Sequence, residues 1–422
     1  MSRYHSYLNS AVEIIKRYSG DQPLAAFLKN FFAANKKYGS KDRKQVSHLC
    51  YCYYRLGKMF RTNTLPDDEV IQANILSGLF LCSSQPDEIL QQLMPACNEN
   101  VHLSIEEKCE LLNKSLNTES SSPFTLHPSP LTTHHSPLHV FPWQSALSDG
   151  VDHAEFCRSF FIQPDLFIRI RAGYKEVVQQ KLAAAAIKYR YADEHCIALQ
   201  NNSKLDDVIH LAKEAVVQDY SSQQVAQFLK LIQSTGKLSV WDCCAASGGK
   251  SILAKDILKD IHLTVSDIRK SILINLEKRF AAAGIKEYTA KVIDLTHLSL
   301  TPSERFSLAA PYPSLFDLII CDAPCSGSGT WARTPEQLYF WKEEDILHYT
   351  TLQKKILTNI VPFIKPGGYL LYITCSVFKQ ENEAMVNEIK EKFNLQLLRM
   401  EVLKGYDKKA DTMFAALLAL PK

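Results

Sequence analysis

The stretch LAAFLKNFFAANKKYGSKDRKQVSHLCYCYYRLGKMF, residues 24–60, returns an apolar residue at nearly every third or fourth position. That is the repeat of one helix face. Gly39-Ser40 interrupts it as a turn, with Ser40 placed to cap a second helix. DDEVIQANILSGLFLC and SIEEKCELLNK carry the pattern onward, which predicts an all-helical domain over residues 1–113. Over 114–143 the period is lost, and SSSPFTLHPSPLTTHHSPLHVFP has the Ser, Thr, His and Pro content of a linker. Its adjacent His134 and His135 have no cysteine or carboxylate cluster beside them and read as loop residues, not metal ligands.

Over 144–217 the pattern is mixed. DLFIRIRAG and CIALQ are strand-like and KEVVQQKLAAAAIKY is helical, predicting a small α+β subdomain. From 218 to 422 it settles into short apolar runs rich in β-branched and aromatic residues: LSVWDCC, IHLTVSD, YTAKVID, FDLIICDA and GYLLYITC. Amphipathic helices such as KSILINLEKRFAAAG and LHYTTLQKKILTNIVPFI separate most of them. The alternation predicts an α/β fold with a mostly parallel sheet covered on both faces. LQLLRMEV and TMFAALLAL supply two more strands, seven in all.

Composition changes this picture little. With 422 residues there is room for two or three domains, and 46% hydrophobic with 22% charged residues is ordinary for a soluble globular protein. No run approaches the roughly 18 apolar residues of a membrane span, and MSRYHSYLNSAVEIIKRYSG lacks the apolar core of a secretory signal. The expectation is a cytoplasmic protein without a membrane partner. Among twelve cysteines, Cys50 and Cys52 are one residue apart and Cys243 and Cys244 adjacent, so no repeated C-x-x-C spacing marks a zinc site. Reduced thiols and no metal are expected. Net charge is only +3, yet through Arg61 twelve Lys/Arg face only Glu13, Asp21 and Asp42. That asymmetry suits a polyanion, or simply a solvated helix surface.

In open α/β sheets ligands bind beyond the carboxyl ends of the strands. The first strand runs into DCCAASGGKS, the next three reach Asp267, Asp294 and Asp322, and the fifth ends at Cys375. GKS stands at 249–251, but a P-loop would need glycine at position 244, which is cysteine, and G-x-G-x-x-G is absent. What remains is a tight glycine turn that admits a ligand to the backbone without a phosphate cradle. Asp267 suits a ribose diol and Asp294 an adenine amino group. A nucleoside without phosphates points to S-adenosyl-L-methionine.

The cysteines narrow the chemistry. An amino nitrogen needs no thiol to accept a methyl group, whereas cytosine C5 is a poor nucleophile until something adds at C6. A thiolate adding there makes C5 enamine-like, a covalent device that divides one hard step into easier ones. A second ionisable group would assist release, and an acid at N3 would take up the charge. FDLIICDAPCSGSG and YLLYITCSVFKQEN together offer two thiols and a carboxylate at adjacent strand ends.

CCAASGGK, VSDIRKS, VIDLT, DAPCSGSGTWARTPE and YITCS, in this order, resemble the motifs of the RNA (cytosine-5) methyltransferases of the Sun/Fmu family. VQDYSSQ is similar to the segment that precedes the family's glycine loop. The resemblance covers residues 155–422 and implies a Rossmann-like methyltransferase domain. It makes Cys375 the nucleophile, Cys325 the release helper, Asp322 the contact to N3, and Lys250 a support of the same pocket. It places the cofactor, later S-adenosyl-L-homocysteine, against Cys244, Ala245, Ala246, Ser247, Gly248, Gly249, Lys250, Asp267, Asp294 and Asp322. Two departures stand out: Ser247 where the family usually has proline, and Ala332 where it commonly has arginine.

KDRKQVSHLCYCYYRLGK resembles the NusB-like domain of the RsmB-like branch, and FIRIRAG a small RNA-contacting subdomain. These imply 16S ribosomal RNA as partner and a monomer. A splayed cytosine in a loop or bulge is what such a nucleophile needs. Rival readings are the same reaction on transfer RNA, an RNA-binding assembly factor with a retired site, and an amino-group methyltransferase.

Overall fold

The computed structural model describes residues 3–60, 66–117, 135–233, 236–297 and 315–422. Most of the expected linker, 118–134, lies outside the described residues. Two compact units are present: Met1–Ser145 with Asp152–Gln163 and Trp331–Trp341, and Ala146–Val151 with Pro164–Thr330 and Lys342–Lys422.

In the first unit the apolar periods fold as helices Arg3–Arg17, Leu24–Ala34, Ser40–Arg55, Asp68–Cys82 and Ile105–Asn117. Gly39, not Ser40, caps the third helix, because the Asp42 carboxylate reaches back to accept the Gly39 N–H at 2.9 Å. Gly78 lets two helices meet: a Cβ there would lie 2.4 Å from the Cys52 carbonyl oxygen. Arg55 is buried and donates to the Phe160 carbonyl at 2.6 Å and Gln163 Oε1 at 2.7 Å. Lys58 Nζ donates to the carbonyls of Tyr339 at 2.8 Å and Trp341 at 2.6 Å. Two cations of the basic N-terminal stretch thus serve the unit's own interior. Among the described residues, no helix is long and apolar enough to cross a membrane.

The second unit holds two sheets. The smaller comprises β1 (Leu166–Ile170), β2 (Tyr189–Asp193), β3 (Cys196–Leu199) and β4 (Ala215–Val217), all antiparallel in the order β2-β3-β1-β4. The helix expected to reach Tyr189 is Lys175–Ala184; Ala186 turns left-handed at φ 52° and releases β2.

The larger sheet comprises β5 (Leu238–Asp242), β6 (Ile261–Asp267), β7 (Tyr288–Val292), β8 (Phe316–Asp322), β9 (Ile364–Thr374), β10 (Gln396–Leu403) and β11 (Met413–Ala419). Its order is β10-β11-β9-β8-β5-β6-β7, and the expected seven-stranded, mostly parallel sheet is what is observed. Only β11 runs against its neighbours, β9 and β10. Val240, Leu318, Ile320 and Leu371 pack in one hydrophobic cluster and Trp241, Ile319, Cys321 and Leu370 in another. Both faces are therefore dry, which is why these strands read as continuous apolar runs. Strand order reverses between β5 and β8, so the crevice for a ligand opens at their carboxyl ends.

Two carboxylates tie elements together near that crevice, Asp256 partly buried and Asp242 wholly so. Asp256, on helix Gly249–Leu258, accepts from Arg169 Nη1 and Arg171 Nη2 of β1's segment, each at 2.7 Å. Arg171 Nη1 also donates to the carbonyls of Ala212 and Ala283, each at 2.9 Å. Asp242, wholly buried at the end of β5, accepts from Ser251 Oγ at 2.6 Å. Burial pushes its carboxyl up to about 7.

Removing Asp256 strands a buried guanidinium. Asp256→Ala is expected to cost on the order of 3 kcal/mol in urea unfolding, and an unchanged midpoint would show the ion pairs to be idle. Asp242 binds its proton more tightly folded than unfolded. Its contribution is complete below the unfolded value near 4 and is lost as pH rises to about 7. The stability of Asp242→Asn relative to the parent should therefore improve by roughly 1.4 kcal/mol per pH unit between those limits. Parallel pH profiles for the two proteins would refute this.

Candidate active site

The glycine loop leaves β5 and enters helix Gly249–Leu258. Gly248 sits at φ +82°, where a Cβ would come within 2.6 Å of the Phe280 ring, so no other residue fits. The Ala245 N–H donates to the Ser266 carbonyl at 2.9 Å, and the Ala246 N–H to Asp267 Oδ2 at 3.1 Å. Asp267 thereby ties the loop to the end of β6, and its other oxygen accepts the Arg269 N–H at 2.9 Å. Ser247 is held through its hydroxyl and carbonyl by Arg279 Nη1, at 2.6 and 3.0 Å. A Cβ at Gly249 would meet nothing within 4 Å, so the loop's backbone is open there. A turn with an open backbone and a carboxylate at its edge fits a nucleoside-bearing cofactor.

Asp294 lies two residues beyond β7 and caps its own turn, accepting from the Thr296 N–H at 2.9 Å and from Thr296 Oγ1 at 2.6 Å. These bonds hold its carboxyl down to about 2. Lys250 and Asp322 come together, with Nζ 3.0 Å from Oδ2, next to the switch point. Ala332 belongs with the first unit.

Cys325 and Cys375 also come together: their Sγ atoms are 3.3 Å apart. Both residues are partly buried. The hydrogen bond to Cys375, followed by burial, pushes the Cys325 thiol well up, so it keeps its proton.

What holds the two loops at that separation is Glu381. Its buried carboxylate accepts from the Ser326 N–H at 2.9 Å, Ser326 Oγ at 2.5 Å, Ser376 Oγ, and Gln353 Nε2 at 2.9 Å. Ser326 and Ser376 each follow one of the cysteines directly. Gln353 Nε2 additionally donates to the Pro324 carbonyl at 3.0 Å, so Cys325 is gripped from both sides. Asn382 does the same for Cys375, accepting from Thr374 Oγ1 at 2.5 Å and donating to the Ser376 carbonyl at 2.9 Å.

The alternation in CSGSG now has a physical reason. Ser326 and Ser328 turn inward, 3.1 Å apart through their hydroxyls, while Gly327 takes φ +72°. At Gly329 a Cβ would be 1.9 Å from the Thr412 carbonyl oxygen; its own N–H donates to the Cys375 carbonyl at 2.9 Å. Glu381, Gln353 and Asn382 were not singled out from sequence. The signal for Glu381 and Asn382, KQEN shortly after Cys375, looks like a polar surface turn, and Gln353 sits within an ordinary amphipathic helix.

Comparison with known proteins bears on this arrangement. Residues 227–421 match the family model described as 16S rRNA methyltransferase RsmB/F. A curated relative, the probable ribosomal RNA small subunit methyltransferase B of Bacillus subtilis strain 168, is 29% identical over 255 residues, covering 59% of this chain and 54% of its own. The chain spans about half the length of the curated relatives it matches. Among solved structures, PH0851 superposes with a TM-score of 0.67 at 19% identity over the whole of both chains. A methyltransferase homolog protein from Pyrococcus horikoshii gives 0.52 at 18% identity, over 65% of this chain and 92% of the other. The structural likenesses establish a shared fold, and the family model covers the segment that carries the glycine loop and both cysteines. Residues 227–421 are thus the part of the chain that is similar to the RsmB/F family of methyltransferases.

Proposed function

We propose that the protein transfers a methyl group from S-adenosyl-L-methionine to C5 of a cytosine in 16S ribosomal RNA. The observation that carries this reading is the pair of thiols at 3.3 Å, set at the ends of neighbouring parallel strands. An amino-group methyltransferase has no use for such a pair. The names of the curated relatives support ribosomal RNA over transfer RNA as the substrate.

The donor would lie along Cys244–Lys250, with Asp267 toward the ribose diol and Asp322 at the reacting end. Asp294 would use a remaining lone pair for the adenine amino group. When bound, the donor supplies an electrophilic methyl group. Cys375, as thiolate, adds to cytosine C6, and the displaced electron pair makes C5 the nucleophile that forms the new carbon–carbon bond. Asp322, steadied by Lys250, faces N3 as the ring takes up electron density. Cys325, 3.3 Å from the nucleophile, then takes the C5 proton; the C5–H electron pair forms the C5–C6 double bond and the C6–S pair returns to Cys375. Basic residues of the N-terminal helices would add affinity for the RNA backbone, independent of sequence.

The test is methyl transfer from labelled donor to ribosomal RNA that lacks its natural modifications. Parent protein should label cytosine C5, Cys375→Ala should be silent, and Cys325→Ala should accumulate a covalent protein–RNA adduct. Methylation by Cys375→Ala would overturn the nucleophile assignment, and labelling of transfer RNA alone would overturn the substrate. Glu381→Gln keeps the shape but presents an amide to donors that need an acceptor. It should lower turnover about 100-fold, the cost of an ångström-scale misplacement, with donor affinity nearly unchanged. Equal loss in donor binding would place Glu381 outside the positioning role.

A further inference from the structure

Sequence spacing gives no metal site, because it looks for cysteines close together along one segment. The fold joins two segments that are far apart. Cys243 directly follows β5, and its N–H donates to the Ile320 carbonyl of β8 at 2.9 Å; Cys321 is the next residue of β8. The Sγ atoms of Cys243, Cys244 and Cys321 all lie within 4.8 Å of one another. We propose that these three cysteines form a binding site for a divalent, thiophilic ion of the zinc class.

Zinc takes thiolate sulfur at ~2.3 Å and favours tetrahedral angles, which sets the sulfurs ~3.8 Å apart. The three thiols are therefore within about an ångström of ligating distance without any rearrangement of the strands. Cys243 and Cys321 are buried, whereas Cys244 is partly exposed and opens the site toward the glycine loop. Soft sulfur donors with no histidine suit zinc over magnesium or calcium, which take oxygen.

Three thiolates leave the fourth zinc position to water. The ion would fix Cys244, where the glycine loop begins. None of this rests on the proposed methyl transfer.

The test uses the full chain, stripped by chelation and titrated with Co²⁺ as a spectroscopic probe, then with Zn²⁺. Expected are one equivalent of bound Co²⁺, a thiolate-to-metal charge-transfer band, intense tetrahedral visible bands, and bleaching by Zn²⁺. Cys321→Val, which preserves an apolar strand position, should weaken binding at least about tenfold, while the double variant Cys325→Ser/Cys375→Ser should bind as the parent does. The absence of a charge-transfer band, its survival in Cys321→Val, or its loss in the double variant would each overturn the site; the last would assign the ion to the other thiol pair. Should Cys321→Val fail to fold by circular dichroism, alkylation of the parent decides: Zn²⁺ must slow modification of Cys244 more than that of Cys82, and equal rates overturn the proposal.

Discussion

A buried carboxylate that serves two loops at once is the constraint on which this site depends. Ionised Glu381 in the protein interior would be costly if left unmatched. Here it receives hydrogen bonds from three residues, two of which immediately follow the paired cysteines. Burial still outweighs those bonds and raises its carboxyl above the ordinary range. The arrangement is thus a compromise: the donors stabilise the charge, and the charge fixes the donors. Because strands β8 and β9 pair in register through Asp322↔Ile373, their loops begin side by side, and Glu381 decides how closely they continue. Tyr372 ties the same residue to the sheet by donating to the Glu381 carbonyl at 2.7 Å.

The large sheet was legible because its strands are dry on both faces and so carry unbroken apolar runs. Of the small sheet, β1 and β3 were legible. β2 was not, since YRYAD alternates aromatic and charged residues on an exposed strand, and β4 is only three residues long. At the site, strand-end positions singled out the cysteines and aspartates directly. The residues that hold them lie elsewhere along the chain: Gln353 on a helix, Glu381 and Asn382 in a turn. No periodicity marks a side chain whose role is to satisfy a distant backbone group. The three-thiol cluster escaped for the same reason, its members being neighbours only across β5 and β8.

Charge counting was informative but coarse. The N-terminal excess of basic residues is genuine, yet Arg55 and Lys58 turn inward onto carbonyl groups, and Arg3, Lys16 and Arg17 sit beside Asp42, Asp68 and Glu13. In FIRIRAG, Arg169 and Arg171 are both engaged by Asp256. Charge that already neutralises a partner contributes less to a polyanion's counterion release than its count suggests.

On the proposed reading, the separation of the two thiols also orders the chemistry in time. Two sulfurs 3.3 Å apart resist carrying two negative charges, so ionisation of Cys375 strengthens the hold of Cys325 on its proton. That leaves one nucleophile and one proton donor, never two competing thiolates. Once Cys375 is bonded to cytosine C6, its charge is gone, and the electrostatic reason for Cys325 to stay protonated goes with it. The helper therefore becomes easier to ionise at the stage where a base is needed for release. Rigid placement by Glu381 matters here because such coupling falls off with distance. Loosening either loop by an ångström would blur the order of events as well as the geometry of attack.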